Sequence, residues 1–139
     1  MNAISTGIYT KGIAAGNFNT SIGGRLYFVK APQNPTYPFV VFFLFNHNIE
    51  CFYNNVSDST EAIDDITCQF NIHSNNINSS SEAGTILGYL LTQFNNTRLT
   101  ISGYRVHRME VKNIYGPFWI EEDENWVYSV EFNFVIQKS

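Results

Sequence analysis

Apolar and polar positions alternate in residues 64–74 and 126–138, and this period of two predicts two long β-strands. One face of each strand is apolar and the other is polar, as in an antiparallel sheet that covers a core with one face. The apolar faces consist of Ile66, Cys68, Phe70 and Ile72 in the first strand, and of Trp126, Tyr128, Val130, Phe132, Phe134 and Ile136 in the second.

Residues 39–45 form a continuous apolar run, which predicts a central strand covered on both faces. Residues 24–32 alternate as a short strand after a glycine turn, and the prolines that follow predict a stiff connection. Asn34 and Tyr37 are expected to be extended there, because each precedes a proline. The polar residues 46–48 predict a turn into a hairpin partner at residues 49–54.

Helical spacing is clearest in residues 79–96, where one apolar stripe predicts the longest helix. Ser79 and Glu82 have the spacing of a capping box at its start. Residues 2–15 predict a shorter helix, and residues 16–24 predict a loop.

Residues 98–115 predict a hairpin with its turn at Ser102 and Gly103. Residues 116–125 predict a loop that precedes the last strand. Strands joined by hairpins, with one strong helix in mid-chain, indicate an α+β domain. We expect a single domain over residues 1–139, in which a mostly antiparallel sheet carries the long helix and the short N-terminal helix on one face.

The composition indicates a protein that associates with other proteins. Charged residues make up 14% of the 139 residues, and aromatic residues make up 16%. Such a chain exposes apolar patches, and large patches mark interfaces. The net charge of −4 argues against a general nucleic-acid-binding surface.

The N-terminus has neither the basic start nor the apolar core of a signal peptide, and no apolar run reaches the length of a membrane span. The expected location is therefore the cytoplasm of the cell that makes the protein, without contact with a membrane. Cys51 and Cys68 have no paired spacing, so we expect them to be small buried residues.

Catalytic and metal-binding patterns are missing from the sequence. His47, His73 and His107 lie on separate predicted elements, and no nucleophile elbow or phosphate-binding loop occurs. The acidic run at residues 121–124 lacks the alternation of a calcium loop. The sequence thus predicts neither an enzyme nor a bound cofactor.

Charge is concentrated at two places in the last third of the chain. The cations Arg98, Arg105, Arg108 and Lys112 precede the acids Glu121, Glu122, Asp123 and Glu124. One interpretation is a solvated hairpin and a solvated loop. The other is a head-to-tail contact, in which the basic hairpin of one copy meets the acidic run of the next, and head-to-tail contacts that close form rings.

Residues 23–45, which read GGRLYFVKAPQNPTYPFVVFFLF, resemble the tail-completion or tail terminator proteins of long-tailed bacteriophages. The shared features are a glycine turn, an Arg-Leu-Tyr strand, an Ala-Pro-Gln stretch and a Tyr-Pro-aromatic-Val entry to the next strand. The order of the later elements over residues 64–96 and 99–113 is similar to that family, as is the last strand.

This resemblance implies an α+β subunit that forms a ring, typically of six copies, at the head-proximal end of the phage tail. The ring would end growth of the tail tube and join the tail to the head-closure or neck protein, while DNA passes through its lumen without specific binding. The residues expected at the subunit, tube or neck interface are Arg25, Pro32, Gln33, Tyr37, Pro38, Arg98, Arg105, Arg108, Lys112, Glu121, Glu122, Asp123 and Glu124.

Two other functions are compatible with the sequence. Adaptors and stoppers on the head side of the neck are also small ring-forming proteins. Alternatively, the aromatic residues Trp119, Trp126 and Tyr128 would stack on sugars in a ligand-binding or glycan-binding module, or simply pack in the core.

Overall fold

The fold was analysed in a computed structural model, which describes residues 2–50 and 63–138. Its elements are α1 (Ala3–Gly12), α2 (Asn17–Ile22), β1 (Leu26–Phe28), β2 (Phe39–Glu50), β3 (Ile63–Ser74), α3 (Ser81–Phe94), β4 (Tyr104–Val106), β5 (Glu110–Ile120) and β6 (Asn125–Lys138).

The strands form one six-stranded sheet in which β1, β2, β3 and β6 are successive neighbours. The outer side of β6 pairs with two strands in line, with β4 near its C-terminal end and with β5 along the rest. Only β1 and β2 are parallel, and every other pair is antiparallel. The predicted α+β class with a mostly antiparallel sheet is confirmed.

The core lies between the helices and one face of the sheet. The alternating apolar faces predicted for β3 and for residues 130–136 of β6 are buried in it. The ring of Phe94, the last residue of α3, lies 4.9 Å from that of Phe70 and 6.0 Å from that of Phe132. The helix therefore packs onto the two central strands through its C-terminal turn.

Strand β2 agrees only in part with its predicted form. Val40 and Phe42 are fully buried toward the helices, and Phe39 and Val41 are buried on the other face. Phe45 lies at an irregularity in the pairing with β3 and is 58% exposed, so the second face is not covered along the whole run. The predicted turn at residues 46–48 is wrong, because pairing with β3 continues to Glu50. The hairpin partner predicted at 49–54 lies mainly outside the described residues.

Two predictions about the helices are also wrong. Residues 17–22 form α2 rather than a loop, since Phe18 and Ile22 are buried against the core one helical turn apart. The helix ends at Gly23, whose φ of 58° suits glycine. The capping box is absent because Glu82 accepts a hydrogen bond from Ser74 Oγ at 2.6 Å.

The connection between β1 and β2 departs from the extended backbone that its prolines predict. Asn34 has φ of 54°, in the left-handed region, where an asparagine side chain is tolerated. The peptide bond between Tyr37 and Pro38 is cis.

The predicted loop at 116–125 is mostly strand. Strand β5 continues to Ile120, and only residues 121–124 form the turn into β6. The β5–β6 hairpin is extended by the pairing of Phe118 with Val127 and of Trp119 with Trp126. The sequence predicted a loop here because glycine and proline at 116–117 are typical of turns. The predicted turn at Ser102 and Gly103 is confirmed, but the hairpin predicted over residues 98–115 is wrong, because residues 98–101 form no strand and β4 pairs with β6. Among the described residues, no helix has the length and apolarity needed to cross a membrane.

Candidate assembly surface

Strand β5 lies at an edge of the sheet and is almost entirely exposed. Residues 113–120 contain no charged side chain. Eight large hydrophobic side chains are exposed among the described residues, and half of them lie on this one strand. These four are Ile114, Tyr115, Phe118 and Ile120. An uncharged apolar edge strand is a surface that proteins normally cover, so β5 is the strongest candidate for a contact with another protein.

The middle of β5 is interrupted by a bulge at Gly116 and Pro117. Gly116 has φ of 118°, and a Cβ atom there would lie 2.8 Å from the carbonyl oxygen of Val127. Only glycine fits this position. Pro117 has no N–H to donate, and proline on an edge strand opposes uncontrolled strand addition. A partner on β5 therefore meets mainly side chains, at least around the bulge.

A basic cleft lies at the N-terminal end of β5, where β4 ends and β5 begins. Its volume is about 550 Å³, and three of the four predicted cations line it. These are Arg98, Arg108 and Lys112, and the cleft also contains His107 and Glu110. Arg105 is exposed on β4 and is not part of the lining.

The cleft forms because the second strand of the hairpin predicted over residues 98–115 is broken between β4 and β5. Met109 is buried and forms an isolated bridge with Thr97, and the N–H of His107 donates to the carbonyl oxygen of Val135 at 2.8 Å. The break gathers Arg98, Arg108 and Lys112 at one end of β5.

The acidic run lies at the other end of β5, as the turn of the β5–β6 hairpin. Glu121, Glu122, Asp123 and Glu124 are all exposed. Glu121 accepts a hydrogen bond from the indole N–H of Trp119 at 2.7 Å, and Glu124 has φ of 51°. The eleven residues of β5, Glu110–Ile120, separate the acidic turn from the basic cleft by roughly 30 Å.

The proline segment before β2 is fixed by Arg25, whose role the family resemblance left open. Its Nε donates to the carbonyl oxygen of Pro38 at 2.8 Å, and its Nη2 donates to that of Tyr37 at 3.4 Å. Arg25, Tyr37 and Pro38 are partly buried, while Pro32 and Gln33 are exposed. The first three residues thus hold the segment in place, and only the last two are fully available to a partner.

A polar cluster joins the proline segment to the start of β6, and sequence reasoning missed it. Asn125 is buried, and its Nδ2 donates to the hydroxyl oxygen of Tyr37 at 3.1 Å. Its Oδ1 lies 3.4 Å from Nδ1 of His73, and the His73 ring stacks on Phe39 at 4.6 Å. Desolvation lowers the pKa of His73, although Asn125 and the charge of Asp123 act in the opposite direction.

Backbone strain marks the exit from β1. Val29 has φ of 72° and is 59% exposed, which is unusual for a β-branched residue. Its N–H donates to the carbonyl oxygen of Phe42, while the N–H of Lys30 donates to that of Phe28, both at 2.9 Å. Nothing in the local sequence signals this tight turn.

Two of the three aromatic residues considered for sugar stacking, Trp119 and Trp126, contact each other. The rings of Trp119 and Trp126 pack edge to face at 5.2 Å. The indole N–H of Trp126 donates to the carbonyl oxygen of Asn76 at 3.0 Å, and that of Trp119 is held by Glu121. This arrangement supports a packing role for the two tryptophans. Among the described residues, no group of three or more His, Cys, Asp or Glu side chains is arranged to hold a metal ion.

Comparison with known proteins gives similarity in fold only. Neither the models of known protein families nor the curated protein sequences give a match to this chain. A chain from the virion of a native gene transfer agent particle aligns over 94% of this chain and 91% of its own length, with a TM-score of 0.71 and 12% identity. A second solved structure aligns over 99% of this chain and 95% of its own length, with a TM-score of 0.70 and 10% identity. The fold is thus shared over nearly the whole length with a component of a phage-like particle.

Proposed function

We propose that this protein is a structural component of a phage-like virion, and more specifically a tail terminator. In this role, copies of the chain form a ring, by family resemblance of six subunits, at the head-proximal end of the tail tube. The ring ends tube growth and joins the tail to the head-closure protein. The location is the assembled virion, after synthesis in the host cytoplasm.

The observation that supports this proposal most strongly is the similarity in fold to a chain of the gene transfer agent virion, over 94% of this chain. It agrees with the independent resemblance of residues 23–45 to the tail terminator proteins. A head-side adaptor or stopper is the nearest alternative within virion proteins, and the order of the motifs favours the tail side.

The exposed residues of the proline segment are the proposed contacts with ring neighbours, the tube or the neck protein, and both ends of β5 are the proposed contacts with another copy of this chain. The cations of the basic cleft gather at a sheet edge, beside the carboxylate of Glu110 and apolar side chains. We propose that they face protein rather than the DNA in the lumen, because a lumen lined with cations would hold DNA through phosphate contacts.

Light scattering of the purified protein over a range of concentrations tests the ring. The expected result is a closed oligomer near six times 15.9 kDa, or assembly toward it as the concentration rises. Addition of the protein to polymerising tail-tube protein of the same virus should then shorten the tubes. Tubes of unchanged length would contradict the terminator role. A protein that stays monomeric at every concentration and also leaves the tubes unchanged would contradict the ring.

A further inference from the structure

Strand β5 carries three surfaces in a fixed order along its length. The basic cleft lies at its N-terminal end, the four exposed apolar side chains lie along its middle, and the acidic turn follows its C-terminal end. The two charged ends are roughly 30 Å apart on one extended segment, so they cannot neutralise each other within one chain. Their complementary charges are available only to another molecule.

We infer that β5 is a self-complementary surface, through which two copies of this chain lie side by side and antiparallel around a twofold axis near Gly116 and Pro117. With the axis between these residues, Lys112 of one copy lies level with Glu121 of the other. The apolar middles of the two strands then face each other, with Tyr115 level with Phe118. A single arrangement therefore covers the apolar edge and pairs both charged ends.

The alternative head-to-tail contact leaves more of the apolar surface of β5 exposed to water. If only the acidic turn of one copy entered the basic cleft of the next, the apolar middle of β5 would stay exposed on both copies. An antiparallel pair buries the apolar middle and brings each acidic turn toward a basic cleft, twice per contact. The same symmetry closes the contact at two copies, and because Pro117 at the centre has no N–H to donate, the contact there is made by side chains.

This contact does not depend on the assignment as a tail terminator, and it cannot build a ring by itself. A twofold contact joins two copies, whereas a ring of six also needs a head-to-tail contact elsewhere on the subunit. The inferred pair and the proposed ring therefore use different surfaces and can be tested separately.

Crosslinking of a single cysteine tests the twofold axis. Phe118→Cys introduces one thiol at an exposed position, and a bismaleimide reaching about 10 Å spans the three residues of strand that separate symmetry-related positions. Cys51→Ser removes one native thiol, and the other, Cys68, is buried, which raises its pKa and keeps it unreactive. The expected product is a covalent dimer. The matched control, Thr85→Cys on the exposed side of α3, should stay monomeric on the gel.

Charge reversal tests the pairing of the ends. Glu122→Lys with Asp123→Lys changes the acidic turn but spares Glu121, which binds Trp119, and Glu124, whose φ is positive. We expect this variant to weaken dimerisation about tenfold in sedimentation experiments at low salt. Reversal of the cleft by Arg108→Glu with Lys112→Glu should do the same, and the combined variant should recover most of the affinity.

The outcomes separate the twofold pair from the ring. A Phe118→Cys dimer that charge reversal weakens and combined reversal restores supports the inference, whether or not a ring forms. A hexamer without the covalent dimer leaves the ring intact and overturns the twofold pair. Absence of the covalent dimer in a monomeric protein also overturns it, and β5 then binds a different protein. Unchanged dimerisation after either reversal would contradict the pairing of charges.

Discussion

Replacement of Phe70 by alanine tests whether the fold is organised around the aromatic cluster of the core. Phe70 is fully buried, and its ring lies 5.7, 4.9 and 5.6 Å from the rings of Phe42, Phe94 and Phe132. A change from phenylalanine to alanine in a packed core costs about 3–5 kcal/mol, because the lost transfer energy and the new cavity add. We expect Phe70→Ala to lower the free energy of unfolding by about 4 kcal/mol, out of the roughly 5–15 kcal/mol of a typical domain.

The assay is urea denaturation at pH 7, in which the midpoint should fall while the slope stays constant. Phe118→Ala is the matched control, because the same atoms are removed from a side chain that is 52% exposed. About half of its apolar surface is in contact within the subunit, so we expect a loss of about 1 kcal/mol and weaker self-association. Equal losses for the two variants would refute the distinction between a core residue and an assembly residue.

Three further changes test the site at other positions. Arg25→Ala should lower the free energy of unfolding by about 1–2 kcal/mol through the lost hydrogen bonds to the proline segment, and Arg25→Lys should recover only part of it in the same urea assay. The pKa of His73 is lower in the folded protein than in the unfolded chain, so unfolding takes up a proton and stability should fall as the pH drops below about 6.5. Thermal denaturation over a range of pH measures this, and a His73→Gln variant that keeps the full pH dependence would contradict it. Gly116→Ala should lower the free energy of unfolding by at least about 1–3 kcal/mol through backbone strain, whereas Gly88→Ala, in an open helical position, should raise it by up to about 1 kcal/mol. Both changes are measured as shifts of the melting temperature. Similar effects of the two variants would contradict the strained bulge at Gly116.

Local patterns in the sequence were sufficient to predict the buried face of an element where that element packs on the apolar core along its length. Alternation correctly predicted which side of β3 faces the core, because burial selects every second residue of a strand. Helical spacing predicted an apolar stripe of Ile86, Leu87, Leu90, Leu91 and Phe94; three of these are buried, whereas Leu87 and Leu91 are only partly buried.

Local patterns failed where a distant partner changed the outcome. The polar residues 46–48 resemble a turn but remain in β2, since pairing with β3 satisfies their backbone. Glycine and proline at 116–117 also resemble a turn, yet they form a bulge because β6 continues to pair on both sides of it. Hydrogen bonds between separate segments outweigh local preference in both cases.

The candidate site shows the same division. Its chemical groups can be read from the sequence: a basic group, an uncharged aromatic stretch and an acidic run, without a pattern for catalysis or metal binding. Strand pairing in the fold makes β5 an edge strand, brings three cations together in one cleft and places the opposite charges at the two ends of one strand. Edge position and convergence depend on which strands pair across the sheet, and such pairing joins residues far apart in the chain through contacts that no local pattern encodes.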